Sequence, residues 1–443
     1  KTFKKELLAL AIPIGLQNLL TVLIGASDAL MLGRLTQDSV SAVSLANQIS
    51  FVMMLFCGAV VGGGGTLLAQ YWGKGDKNMV KNLFAMMVKW VAAIEIVFFV
   101  LTIFFPDRLM LIFTPDAKLI SIGSSYLQIV GFSYLFLGIS QCYFVVMKLE
   151  GKATKSVTIS VIALVADMVI DFFLIYGIAG APKLGANGSA VSTVFVEFLA
   201  LAYCVYESFK KDNIHFGFHH IRWNDRVIIR DYLKVTLPIL GSSLAWGLSI
   251  SMHSFMMGHL GTDATAAASI AGVALEMVTC VCKGISAGAA IMIGKVLGQG
   301  LYDKAKEYGK RFCHLSFKVG GVHAILLAML GPFMVKFFVL SHQAKLYLVY
   351  MLLFAALYVI AYSINTIVVC GIFQAGGDTI YDMKSVFFAT WCFAIPLSLA
   401  GLFIFKWNVM IVYIIMCSDE IVKIPFVYPR YKKYLWVNKL TRD

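Results

Sequence analysis

The stretch LLALAIPIGLQNLLTVLIGASDALMLG, residues 7–33, contains one charged side chain, Asp28. It is longer than the roughly 20 apolar residues a helix needs to cross the hydrocarbon core of a bilayer. An amphipathic helix of a soluble domain would show a polar face at helical spacing, and this run is apolar nearly all round. It therefore predicts a transmembrane helix. Asp28 inside it is informative, because a carboxylate in hydrocarbon is costly unless it meets water, a cation or another polar group.

Similar runs recur at approximately 43–71, 84–105, 119–147, 157–179 and 187–207, and again at 233–258, 266–297, 312–332, 345–371, 385–405 and 407–428. The chain is thus expected to be an all-α polytopic membrane protein with twelve transmembrane helices. Of its 443 residues 60% are hydrophobic and 14% charged, which argues against a soluble enzyme and excludes disorder. The net charge of +13 does not point to nucleic acid, because the basic residues sit between the apolar runs.

With the amino terminus in the cytoplasm, most lysines and arginines outside the spans fall on the inner side, Lys74, Lys77, Lys81, Lys148, Lys152 and Lys155 among them, against a minority outside that includes Arg34, Arg108, Lys118, Lys183, Lys336 and Lys406. The opposite orientation inverts the positive-inside rule. Both termini are therefore expected to be cytoplasmic, in a plasma membrane such as a bacterial inner membrane. The central cluster Lys210, Lys211, Arg222, Arg226, Arg230 and Lys234 reads as a surface tether attracted to anionic phospholipid headgroups. Cysteines such as Cys57, Cys142, Cys280, Cys282, Cys370 and Cys392 lie in apolar runs and read as small hydrophobes, with no disulfide framework or zinc set.

Shifting the chain by 225 residues overlays Pro13 on Pro238, Gly33 on Gly258, Ala42 on Ala267, Gly63 on Gly288, Gly73 on Gly298 and Gly75 on Gly300. A gapless offset held across several motifs indicates a duplicated six-helix half. Six spans per half preserve insertion orientation, so two pseudo-symmetric lobes are expected around a central cleft. The expected division is 1–207 for the first lobe, 208–232 for a basic linker, and 233–443 for the second lobe and a basic tail.

The repeat partner of Asp28 is His253, so an asymmetric ion-handling site is expected in the first half. The fifth span carries Asp167 and Asp171, four residues apart and on one helix face. Like charges there disfavour simultaneous ionisation, which suits proton exchange. Asp28, Asp167 and Asp171 are the candidate cation-coupling residues, expected to converge; a structural carboxylate at a helix end is the plain alternative. Glu276 and Lys283, about two turns apart on the eighth span, are candidate cavity charges, and a structural reading is at least as good. Glu95 and Glu197 each place one acid in a span, without an identified partner.

Pro13 and Pro238 remove a backbone donor at matching positions and are candidate bending or gating points, equally compatible with a fixed kink. Gly62–Gly65 lacks the Gly-Lys-Ser/Thr of a phosphate loop, and no HExxH, dinucleotide fingerprint or Ser-His-Asp arrangement appears. The His219-His220 pair specifies no metal, and neither an enzyme activity nor a bound cofactor is expected. Acids interspersed with span aromatics such as Tyr126, Phe132, Tyr143 and Trp246 suit an amphipathic organic cation.

The region from Pro13 to Asp28 ending in Leu30-Met31-Leu32-Gly33-Arg34-Leu35, the motif Ala69-Gln70-Tyr71-Trp72-Gly73-Lys74-Gly75-Asp76 and the segment Asp171-Phe172-Phe173-Leu174-Ile175-Tyr176-Gly177 resemble the multidrug and toxic compound extrusion family. The turn Gly185-Ala186-Asn187-Gly188-Ser189-Ala190 is similar to the one entering that family's sixth helix. The resemblance covers nearly the whole chain. It implies a two-lobed exporter that exchanges organic compounds for inward protons or sodium ions by alternating access. Asp28 matches the family's first-helix cation-coupling aspartate and Asp171 its fifth-helix acid, while Asp167 stands where many relatives carry Asn. The second-half acids that some sodium-coupled relatives carry on helices seven and ten are missing here, which disfavours that form of sodium site. A lipid-linked-substrate flippase of the same superfamily and a nontransporting receptor or scaffold are the alternatives. The twelve-helix unit is expected to suffice as a monomer, with no obligatory protein partner.

Overall fold

The computed structural model describes residues 2–178, 180–210, 213–338 and 340–442. Every regular element among them is helical. In the first half these are α1 (Thr2–Gly33), α2 (Gln37–Lys74), α3 (Lys77–Phe104), a short α4 (Pro106–Leu111), α5 (Ala117–Val130), α6 (Tyr134–Leu149), α7 (Ala153–Tyr176) and α8 (Ala186–Ser208). A five-residue α9 (Phe218–Arg222) precedes α10 (Arg226–Leu260), α11 (Thr262–Gly298), α12 (Tyr302–Phe337) and α13 (His342–Asn365). Then come α14 (Thr379–Val386), α15 (Ile395–Phe403), α16 (Val409–Met416) and α17 (Asp419–Lys432).

Among the described residues, 11 helical segments are long and apolar enough to cross a membrane, and they fall on the first eleven expected spans. The departures from ideal helix have local causes. The fourth span is α5 and α6 joined by a 3-10 turn at Gly131–Ser133, where a side chain on Gly131 would run into Thr102 of α3. The tenth continues from α13 into a π-helix, Thr366–Phe373. The eleventh holds another, Phe387–Ala394, just before Pro396, whose missing N–H cannot bond back to Cys392.

The twelfth span, read as one run over 407–428, is instead α16 and α17 broken at Cys417 and Ser418. The break follows from chemistry: Asp419, Glu420 and Lys423 are all buried and need polar partners that a continuous apolar rod would not offer. Pro13 and Pro238 lie inside α1 and α10, neither of which is interrupted there.

By packing, the chain forms two compact units, Gln17–Leu68 with Asp76–Ile229, and Lys1–Leu16 with Ala69–Gly75 and Arg230–Asp443. The beginning of α1 and the end of α2 therefore pack with the second-half helices. Arg226, Arg230 and Lys234 of the expected linker belong to α10, and Lys211 lies outside the described residues.

The second-half unit is built around α11. Its buried Ala264, Ala267, Ala271 and Ala274 bring α12 and α13 close, and Leu327, Leu348 and Met351 fill the space between. In the first-half unit, α7 packs on α8, and α3 on α6. That pairing sets the site.

Candidate functional site

In hydrocarbon a helix turns its apolar side outward and its polar side to its neighbours. On α7 the exposed Ile162, Val165, Val169 and Phe172 form one stripe, and Asp167 and Asp171 lie on the other side. On α1 the exposed stripe is Ile12, Leu16, Leu23 and Leu30, again opposite Asp28. Neither helix presents its acid to lipid.

Asp171 is 0% exposed, and its Oδ2 accepts the Ser189 hydroxyl at 3.3 Å. Asp167 accepts hydroxyls from Ser192 and, at 3.4 Å, from Thr193. All three hydroxyls come from α8, where spacings of three and four residues place Ser189, Ser192 and Thr193 along the face that meets α7. The bare Gly188 permits this approach, since a side chain there would strike the backbone of Leu174.

The structure brings Asp28 together with the α7 pair. Asp28 and Asp167 lie within electrostatic reach of each other, and Asp171 feels both. Tyr126 on α5 is within reach of all three acids and donates its hydroxyl to Asn47 Oδ1 at 3.3 Å. The ends of α1 and α7 are tied by Tyr176, whose hydroxyl donates to the Met31 carbonyl at 2.8 Å. Lower down, the Gln17 amide donates to Ser160 at 2.6 Å.

Asp28 Oδ1 and Asp171 Oδ1 are both buried with no hydrogen-bond partner among the described residues. Among the described residues, no ion pair from a lysine or arginine reaches these three acids. The arrangement is therefore a set of carboxyl and hydroxyl oxygens with unused acceptor capacity. Chemically, it can take a proton or a small hard cation. Among the described residues, no group of three or more His, Cys, Asp and Glu side chains is arranged to hold a metal.

Sequence reasoning found the acids but missed Ser189, Ser192 and Thr193, whose spacing along α8 was the available signal. It also left Glu197 and Glu95 without partners. Glu197 on α8 lies within electrostatic reach of Asp167, and Glu95 on α3 within reach of Glu197.

In the second-half unit the candidates are not joined. Glu276 is exposed, Lys283 is half-buried, and no ion pair links them. Among the described residues, His253, at the position matching Asp28, has no charged partner, and its buried Nε2 has no hydrogen bond. The buried polar centre of this unit lies elsewhere. Lys423 pairs with Glu420 at 2.6 Å, Asn365 donates to Glu420 at 2.7 Å, and Thr390 donates to Asp419 at 3.1 Å.

The MatE family model matches residues 13–173 and 238–400. The two matches begin 225 residues apart, the same shift as the internal repeat. The chain is 26% identical to the probable multidrug resistance protein NorM of Agrobacterium fabrum, over 84% of this chain and 78% of that one. It is 21% identical to the uncharacterized transporter YisQ of Bacillus subtilis, over 99% and 96% of the two. A crystal structure of MATE in complex with MaL6 shares the fold with a TM-score of 0.89, covering 97% of this chain and 96% of that one at 16% identity. A MOP superfamily transporter from Pyrococcus furiosus gives 0.88 at 15% identity, covering 99% and 97%.

Proposed function

This chain belongs to the MatE family of membrane transporters, and we propose that it exports lipophilic or cationic organic compounds in exchange for inward-moving protons or sodium ions. The observation that carries the reading is the placement of Asp28, Asp167 and Asp171: one cluster, turned away from the exposed apolar stripes, with acceptor oxygens left unpartnered. Relatives described as multidrug resistance proteins support the substrate class.

In this mechanism Asp28 on α1 and the α7 pair share one coupling cation. Cation binding removes their mutual repulsion and favours one packing of α1 on α7; cation release restores the repulsion and favours another. Direction comes from the imposed gradient. Ser189, Ser192 and Thr193 hold the α7 carboxylates in place while Asp28 is free to approach or withdraw. Glu276 and Lys283 contribute charge to the substrate path, and Pro13 and Pro238 supply the bending points of α1 and α10. The protein works as a monomer in a bacterial inner membrane, both termini cytoplasmic, with the basic segment around Arg222 against anionic phospholipid headgroups.

Purified protein in liposomes, given a fluorescent lipophilic cation and separate proton and sodium gradients, tests the reading. Export driven by one gradient, and lost in Asp28→Asn, is expected. Correctly inserted protein that moves no substrate under either gradient would overturn it.

A further inference from the structure

Glu95 lies on α3, opposite the exposed stripe of Ile96, Val97, Val100 and Phe104, and is 1% exposed. Its Oε1 accepts the Gly138 N–H of α6 at 2.5 Å, and Oε2 is fully buried with no hydrogen-bond partner among the described residues. Gly138 is required for this approach: a Cβ there would lie 2.7 Å from Oε1 and 2.8 Å from Val91. The fold therefore places a carboxyl group deep in an apolar bundle and leaves half of it unsatisfied, an arrangement that costs free energy and calls for a use.

The groups facing Glu95 are Cys57 from α2, Cys142 from α6 and Glu197 from α8. The helices α4 and α5 and the short α9 also pack on α3, and none brings a charge within its reach. Among the described residues no basic side chain acts on it, so a proton is the neutralising partner the bundle leaves open. Glu197 in turn lies within reach of Asp167. Electrostatic reach thus links Asp28 and Asp171 to Asp167, Asp167 to Glu197, and Glu197 to Glu95.

We propose that Glu95 is a second proton-binding site of this transporter, loaded through Glu197 from the Asp28–Asp167–Asp171 cluster. Each hop, carried across the gap by an intervening water that accepts one proton and gives up another, breaks an O–H bond on one carboxyl and makes one on the next, so the total charge of the carboxyls is unchanged. The bare Gly138 backbone gives the deprotonated form a hydrogen-bond donor, which keeps release accessible. The inference rests on the proton form of the function proposed above.

Infrared difference spectroscopy of the purified protein between acidic and alkaline pH tests it without any transport. A protonated-carboxyl band that disappears as pH rises, and that is missing in Glu95→Gln but retained in Asp28→Asn, is expected. Gln keeps the acceptor for Gly138 and should fold like the parent. If Glu95→Gln does not fold, Glu197→Gln serves instead, and it should move the pH at which the Glu95 band is lost. In liposomes, Glu95→Gln should carry one proton fewer per exported molecule. An unchanged difference spectrum in Glu95→Gln would show that Glu95 only staples α3 to α6, and an unmoved band in Glu197→Gln would overturn the loading route through Glu197. Because the spectroscopy needs no substrate, failure of export under every gradient would refute the function and leave the proton site standing.

Discussion

Gly73 at the end of α2 and Gly298 at the end of α11 make reciprocal backbone contacts. A side chain on Gly73 would run into the Lys295 carbonyl, and one on Gly298 into the Gln70 carbonyl. The four residues are two repeat pairs, since the 225-residue shift takes Gly73 to Gly298 and Gln70 to Lys295. Gly294, the counterpart of Ala69, meets the Ala69 methyl in the same crossing. Glycine is retained here for backbone proximity rather than for an unusual φ.

Because the colliding atoms are main chain and cannot rotate away, Gly73→Ala and Gly298→Ala should each destabilise by about 1–3 kcal/mol or more. Gly58→Ala is a fair control, because a Cβ there meets nothing. Thermal unfolding in detergent reads the difference. Equal melting of Gly73→Ala and Gly58→Ala would mean that the helices part at no cost.

Asp28 and Asp171 act on one another, so their substitutions should not combine independently. Groups of one network show interaction energies of about 0.5–3 kcal/mol. Asp28→Asn and Asp171→Asn should each reduce gradient-driven export, and the double variant should fall little below the worse single. Losses that multiply would separate the two acids into unconnected roles.

The first span and its lone acid were legible in sequence because composition alone sets the cost of Asp28 in hydrocarbon. The face-sharing of Asp167 and Asp171 was legible because helix periodicity is fixed. Ser189, Ser192 and Thr193 were not, since hydroxyls in a span bond their own backbone as readily as a neighbour; Thr193 also donates to the Ser189 carbonyl at 3.0 Å. The division of the last span was missed for a similar reason. Hydropathy averages over Asp419, Glu420 and Lys423 and cannot register that they satisfy one another. Gln70 stood in a motif carried by family resemblance, but its partners lie at the far end of the chain, beyond any local pattern.

Those partners give a third prediction. Gln70 is 0% exposed; its amide nitrogen donates to the Ala375 carbonyl at 2.9 Å and the Asn438 carbonyl at 3.2 Å, and its oxygen accepts the Leu440 N–H at 2.7 Å. The carboxy-terminal segment is thus strapped to the end of α2, with the fully buried Trp436 packed on Gly309 and Gly376 as its anchor. Gln70→Ala takes a partner from the buried Ala375 carbonyl and from the part-buried Asn438 carbonyl and Leu440 N–H, and should cost about 1–3 kcal/mol. Hydrogen exchange at Asn438 to Leu440 should quicken in the same variant. Exchange there at the parental rate would show that Trp436 alone holds the strap.

The buried Lys423 acts on the buried acids Asp419 and Glu420 and on the half-buried Asp382. Removing one partner of a buried ion pair leaves the other uncompensated, which costs about 3–5 kcal/mol, whereas removing both together costs far less. Lys423→Met should therefore lower the melting temperature more than Lys423→Met with Glu420→Gln. The double variant keeps an acceptor for Asn365, which donates to the Glu420 carbonyl as well as to its side chain at 2.7 Å. If the single and double variants melt together, the pair contributes packing rather than charge compensation. The split of the last span at Ser418 would then need a cause outside this network, because burial of an ion pair is what the break between α16 and α17 accommodates.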